Sequence, residues 1–192
     1  MRIWTTQSVD FWNQLQEQGV IYCSTQKSYW AEEFRGPYDW MASLMVKRVG
    51  PPPVPGVDYP IWGWQQVGSY KKDYHGSMTD CAGEDDEFVF MTVDIPDNQV
   101  LLSDFNLWHC VLNHWYADLE KHKNEPDEEA AIVKSWDNIF DFNRRGKYIR
   151  HRRNLWIQAT FWELRKEWVL DSKRIKGYRL YRQQLFERNE RV

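Results

Sequence analysis

Apolar residues recur along the chain at strand and helix spacings, and most of these stretches end at a Gly, a Pro or a capping residue. Residues 2–6 predict a first strand: Ile3 and Trp4 favour extended backbone, and the chain turns polar at Gln7-Ser8. Ser8 reads as the N-cap of a helix, with Asp10 near its positive end. Val9, Trp12 and Leu15, with Phe11 beside them, follow helical spacing, and Gly19 is the natural stop. Residues 20–23 predict a second short strand.

Helices are predicted over 29–34 and 38–49. In the second, Trp40, Leu44 and the Met41/Met45 pair form an apolar stripe, and Gly50-Pro51-Pro52-Pro53 ends it. The five prolines of residues 51–60 make a rigid connector too short to divide two domains. Pro60-Ile61-Trp62-Gly63-Trp64-Gln65-Gln66-Val67 resumes as a strand with Trp62 and Trp64 on one face. Residues 68–87 read as a loop, 87–95 as a strand closed by Pro96-Asp97, and 100–102 as a further short strand.

Asp104 is the predicted N-cap of a helix carrying Leu107, Trp108, Val111, Leu112 and Trp115. Residues 117–130 read as a solvated excursion, and 131–142 as a helix with Ile132, Trp136, Ile139 and Phe140 inward. The clearest strand covers 155–164, with Trp156, Gln158, Thr160 and Trp162 on one face and Ile157, Ala159, Phe161 and Glu163 on the other. The tail from Lys173 reads as strand then helix. Irregular alternation of strands and helices predicts an α+β class: one domain over 1–192, a mostly antiparallel sheet with helices packed on it.

Composition narrows the class. Of 192 residues 42% are apolar and 16% aromatic, including 12 Trp, so the chain can build a core. No apolar run is long enough to span a membrane, and Met1-Arg2-Ile3-Trp4-Thr5-Thr6-Gln7 has no secretory pattern. Cys23, Cys81 and Cys110 lack CxxC spacing, which predicts reduced thiols and a cytoplasmic protein.

Charge is unevenly distributed. Residues 80–143 carry 16 acidic and 3 basic side chains (−13), and residues 144–192 carry 15 basic and 5 acidic (+10). The two blocks could lie against one another. Alternatively, Arg144, Arg145, Lys147, Arg150, Arg152 and Arg153, interleaved with Tyr148, face nucleic acid, and the acidic 80–143 block suits a basic protein partner.

Glu163 is the sharpest chemical anomaly, a carboxylate on a predicted strand face otherwise held by Ile157, Ala159 and Phe161. Such a group sits at an exposed strand end, pairs with Arg165 or a neighbouring strand, or stands ready to hold a ribose hydroxyl or act as a base. His109 and His114 are five apart and do not form a helical metal pair, so no metal is expected; His109 reads as partly buried and hydrogen-bonded. Cys23 and Cys110 read as core packing. P-loop, GxGxxG and GxSxG motifs are absent from the sequence. Trp12, Trp40, Trp108, Trp115 and Trp136 read as helical core, whereas Trp4, Trp62, Trp64, Trp156 and Trp162 fall on strands, where they pack or stack on a flat ring.

Four motifs in order resemble a bacterial family, domain of unknown function 3841. They are Trp4-Thr5-Thr6-Gln7; Pro60-Ile61-Trp62-Gly63-Trp64; the stretch from Val100-Leu101-Leu102-Ser103-Asp104-Phe105 through Trp108-His109 to Val111-Leu112-Asn113; and Gln158-Ala159-Thr160-Phe161-Trp162-Glu163-Leu164. This likeness implies a bacterial or phage origin. The opening strand–helix–Gly–strand unit and a Glu on a late strand also resemble ADP-ribosyltransferases. That resemblance implies an ADP-ribosyltransferase-like fold, NAD as the bound nucleotide and Glu163 in the catalytic position. It further implies that Arg2, Trp4, Thr5, Trp62 and Gln158 line the nucleotide site. Departures are that the first strand has no His and that no Ser-Thr-Ser segment lies on a middle strand.

Three functions therefore stand side by side: an NAD-dependent ADP-ribosyltransferase acting on nucleic acid or protein, a non-enzymatic nucleic-acid-binding module, and a partner-binding accessory protein of phage defence or a toxin–antitoxin pair. If the basic block contacts phosphates, affinity for RNA or DNA falls steeply with added salt, and the Arg150→Ala, Arg152→Ala, Arg153→Ala triple variant flattens that slope in a titration.

Overall fold

The computed structural model describes residues 1–23, 33–68, 87–118, 128–143 and 155–176. Strand β1 (Arg2–Ser8) leads directly into α1 (Val9–Gln18). The Ser8 hydroxyl accepts from the Phe11 amide at 3.1 Å, and Gly19 closes the helix in the left-handed conformation at φ 77°. β2 (Val20–Tyr22) follows at once.

α2 (Arg35–Arg48) starts three residues earlier than predicted, with Pro37 in the first turn, where its missing N–H costs no helical bond. Lys47 and Arg48 lie at its negative end. Then come β3 (Ile61–Val67), β4 (Glu87–Asp94) and β5 (Leu101–Asp104). α3 (Phe105–Leu112) is capped by Asp104, and α4 (Glu129–Ser135) precedes β6 (Trp156–Phe161), β7 (Glu163–Arg165) and β8 (Val169–Lys176). The 144–153 basic block, most of the 29–34 helix, most of the 68–87 loop, most of the 117–130 excursion, Cys81 and the end of the tail lie outside the described residues.

Six strands form one antiparallel sheet in the order β5-β6-β3-β1-β4-β8, and β2 pairs antiparallel with β7 in a separate ribbon. The α+β reading with helices on an antiparallel sheet is borne out. One side of the sheet presents Ile3, Ile61, Val89, Met91, Val93, Ala159 and Phe161 to Leu15 of α1 and to Ile21 and Leu164 of the ribbon. The opposite side presents Leu101 to Met41 and Met45 of α2, Leu107, Trp108 and Val111 of α3, and the Trp136–Phe140 turn that continues α4.

Three expectations are corrected. The 155–164 strand is interrupted at Trp162: β6 stays in the large sheet, while β7 turns away to pair with β2, Tyr22 opposite Glu163. The interruption resets the alternation, so Leu164, not Glu163, joins Ala159 and Phe161 in the core. The predicted 131–142 helix is an α-helix only to Ser135 and then tightens into a 3-10 turn. There the Ser135 hydroxyl donates to the Ile132 carbonyl (2.6 Å) and accepts from the Ala117 amide (2.8 Å), tying this end to the chain after α3. Trp115 lies beyond the end of α3 and is 59% exposed, because His114 takes a left-handed φ of 58° and turns the chain off the helix axis.

β3 carries two further devices. A register shift between Trp64 and Gln66 marks a bulge, so three steps along β3 match two along β6. Gly63 sits where a Cβ would lie 2.6 Å from Ile3 Cγ2 and 2.8 Å from the Trp4 carbonyl oxygen. Because one of those neighbours is backbone, Gly63→Ala should destabilise the protein by about 1–3 kcal/mol in urea unfolding, as overpacked core positions do.

Candidate functional site

The side of the sheet that faces α2 and α3 carries an unusual run of rings. Trp4 is in register with Trp64, and Trp64 in turn with Gln158, so these three side chains cross the sheet in one row. Trp62 and Thr160 form the next row. Around Trp62 the rings close up: Trp108 at 5.0 Å, Tyr38 of α2 at 5.6 Å, and Tyr59 6.0 Å beyond Tyr38. Tyr22, at the end of β2, packs against this same cluster, and its strand partner is Glu163.

Glu163 is 6% exposed. Its Oε1 accepts from Arg165 Nε at 2.7 Å, which fixes the carboxylate in place. Its Oε2 is buried and has no hydrogen-bond partner among the described residues. The Trp62 and Trp4 indole N–H groups are likewise buried without a partner there. Buried polar atoms are nearly always hydrogen-bonded, so such atoms call for an explanation. By contrast, the Trp162 indole N–H donates to the Gly50 carbonyl at 2.8 Å and the Trp136 N–H to the Trp115 carbonyl at 3.0 Å.

The other expected site residues separate. Arg2 is exposed at the start of β1, across from Asp94. Thr5 is buried with Ile3 and Met91 on the side of the sheet away from Trp4, and its hydroxyl is committed: it donates to the Trp62 carbonyl (2.8 Å) and accepts from Gln7 Nε2 (2.8 Å). Gln158 is buried, and its Oε1 accepts from the Ser103 hydroxyl at 3.4 Å. Strands 2–6 and 156–161 do share a sheet, with β3 between them, and bring Trp4, Trp62 and Gln158 onto one face; Glu163 belongs to the ribbon. Arg144, Arg145, Lys147, Arg150, Arg152 and Arg153 lie outside the described residues.

Burial acts on two groups beside the ring cluster. It raises the Cys23 thiol, which keeps that sulfur protonated near neutral pH and a weak nucleophile. Burial, then the nearby Cys23 charge, pushes the Tyr38 hydroxyl up to about 12. His109 is exposed, not partly buried as expected, and its ring meets Phe105 at 4.5 Å. His114 pairs with Glu129 at 2.8 Å. Among the described residues no three potential metal ligands cluster, and no helix is long and apolar enough to cross a membrane.

Tyr22, Tyr38, Phe105 and His109 were not singled out from the sequence as site residues. Tyr22 offered a signal in its place on the strand after Gly19; Phe105 and His109 offered one in their four-residue spacing behind the Asp104 cap.

This is an α+β protein built on an antiparallel sheet, with aromatic rings gathered on one face beside a buried carboxylate. Residues 2–126 match the family described as Domain of unknown function (DUF3841), and the chain belongs to that family. The first three sequence motifs fall within the match, whereas Gln158-Ala159-Thr160-Phe161-Trp162-Glu163-Leu164 lies beyond it. No curated protein and no solved structure matches the chain.

α3 holds Trp108 against Trp62, so its cap bears on the site. Asp104 Oδ1 accepts from the Asn106 and Leu107 amides at 2.8 and 3.1 Å. Asp104→Ala should cost about 0.5–2 kcal/mol in denaturant unfolding, whereas Asp104→Asn keeps an acceptor and stays near wild type. Burial lifts this carboxyl above its ordinary 3.8 despite the two amide bonds that lower it. The folded state therefore binds the proton more tightly, and the titration adds stability as pH falls from above the raised value towards 3.8. Asp104→Asn should remove that contribution, measured as unfolding free energy against pH.

Proposed function

We propose that this protein binds an NAD-type nucleotide beside Glu163 and transfers ADP-ribose to nucleic acid or protein. The observation that carries the reading is the state of Glu163. One carboxylate oxygen is clamped by Arg165, while the other is buried and has no partner among the described residues. Once the groups that cover it move aside, that second oxygen can accept from a ribose hydroxyl while Arg165 holds the first. Tyr22 and the rings of Tyr38 and Trp62 provide a wall on which a flat nicotinamide stacks, and the Trp62 N–H supplies a donor.

In the reaction the nicotinamide–ribose bond breaks, and its electron pair leaves with nicotinamide. Positive charge grows on the ribose, where the negative charge of Glu163 lowers the barrier. An acceptor oxygen or nitrogen then bonds to the ribose carbon and releases its proton. The free cysteines Cys23 and Cys110 fit a cytoplasmic setting for this chemistry.

The test incubates wild type and Glu163→Gln with nicotinamide-labelled NAD, with and without nucleic acid or protein acceptors, and measures released nicotinamide. The substitution keeps size but removes charge, so release should fall by about two to three orders of magnitude. The melting temperature should change little, because the Arg165 partner is half exposed and the pair contributes about 0–1 kcal/mol. A wild type that neither binds nor consumes NAD overturns the proposal.

A further inference from the structure

The rings beside Glu163 are matched to a charge as well as to a shape. Tyr22 stands opposite Glu163 across the β2–β7 ribbon, and with Tyr38 and Trp62 it packs against the core that holds Trp108 and Trp162. These three rings are partly buried, whereas Glu163 is 6% exposed.

The charges nearby do not cancel. Arg165 takes one oxygen of Glu163 at 2.7 Å, but Glu167 lies 3.8 Å from the same guanidinium, so two carboxylates share one cation. Lys166 is committed elsewhere, its ammonium donating to the Gln16 carbonyl at 3.1 Å. At the other edge of the rings the Tyr59 hydroxyl donates to Asp39 at 2.7 Å, and there Asp39 and Asp58 outnumber Arg35. Aromatic faces are themselves electron-rich, so rings flanked by surplus carboxylate attract a cation.

Three unmet demands define the occupant. The free oxygen of Glu163 calls for positive charge or a donor, the Trp62 N–H calls for an acceptor, and the rings call for a flat or cationic partner. A flat cationic ring that bears a carbonyl group meets all three. We propose that the site selects its ligand by the positive charge of a pyridinium ring, taking the oxidised nicotinamide ring and discriminating against the neutral reduced ring and against free nicotinamide. The inference rests on the reading of this site as the nucleotide site, and it adds a consequence for turnover. The electron pair that leaves with nicotinamide cancels the charge of the ring, so the product loses the attraction that held the substrate and departs readily.

The experiment compares two fragments of one shape on the full chain: nicotinamide methylated at its ring nitrogen, which carries the pyridinium charge, and nicotinamide itself, which does not. Binding is followed by NMR through the indole N–H resonances, with the Trp62 signal identified by its loss in Trp62→Phe. The cation should bind about 10-fold tighter, within what desolvated aromatic faces supply to a cation, and should move the Trp62 resonance. Glu163→Gln should bring the affinity of the cation down to that of the neutral ring and leave the neutral ring unaffected. NAD should likewise bind more tightly than NADH.

Equal affinity for the charged and neutral fragments, or binding of neither, overturns the charge selection, and the wild type alone decides it. Turnover separates this outcome from failure of the transferase reading. A protein that prefers the cation but never consumes NAD keeps the cation site and loses the reaction. One that consumes NAD yet binds NADH equally well keeps the reaction and loses the charge selection.

Discussion

The pairing of Trp4 with Trp64 across β1 and β3 decides which side chains meet on each side of the sheet. Side chains alternate along a strand, so a slip of one residue would exchange the two faces entirely. Both faces of the central strands are covered by other elements, and no slip would be tolerated on either. Aliphatic and small side chains (Ile3, Gly63, Ala159) fall towards α1, where the packing is close. Indoles (Trp4, Trp62, Trp64) fall towards α2 and α3. The same register therefore builds a tight core on one side and a ring-lined surface on the other.

Local signals were read correctly because their causes are local. Ser8, Gly19 and Asp104 act within a few residues of themselves, and each forms the cap or stop its side chain or φ dictates. The alternation of β1, β3 and β4 was equally legible. What could not be read was set by distant partners. Nothing within Phe161-Trp162-Glu163 announces the interruption at Trp162, because the reason for it is β2, more than a hundred residues earlier, which offers Tyr22 as the partner of Glu163. The same ignorance placed Glu163 on an apolar face, when the residue there is Leu164. Trp115 was assigned to the core from helical spacing, but that spacing loses its meaning once His114 turns the chain.

Among the candidate site residues, sequence reasoning found types better than neighbours. Trp4, Trp62 and Gln158 do share a face, and the pairing of Glu163 with Arg165 that their proximity in sequence suggests is present at 2.7 Å. Thr5 looked equally available, yet the threonine hydroxyl is occupied by the adjacent strand. Polar residues on strands often serve the sheet itself, and only the paired strand reveals it. The aromatic residues behave conversely: their abundance was plain, but their grouping, Tyr38 and Trp108 around Trp62 and Phe105 and Trp156 around Trp64, depends on elements distant in the chain.

The bulge in β3 has a geometric effect on that division. Trp64 and Val67 are three residues apart, a spacing that in a regular strand would put them on opposite faces. The extra residue restores phase, so Val67 stands opposite Trp156 and both lie on the side occupied by Trp64. One inserted residue thus works as a phase corrector: it sets the buried valine that ends β3 on the same side of the sheet as the partly exposed tryptophan that begins β6. Without it, Val67 would fall on the opposite side of the sheet from Trp64, and Trp156 would lose its partner across the strands.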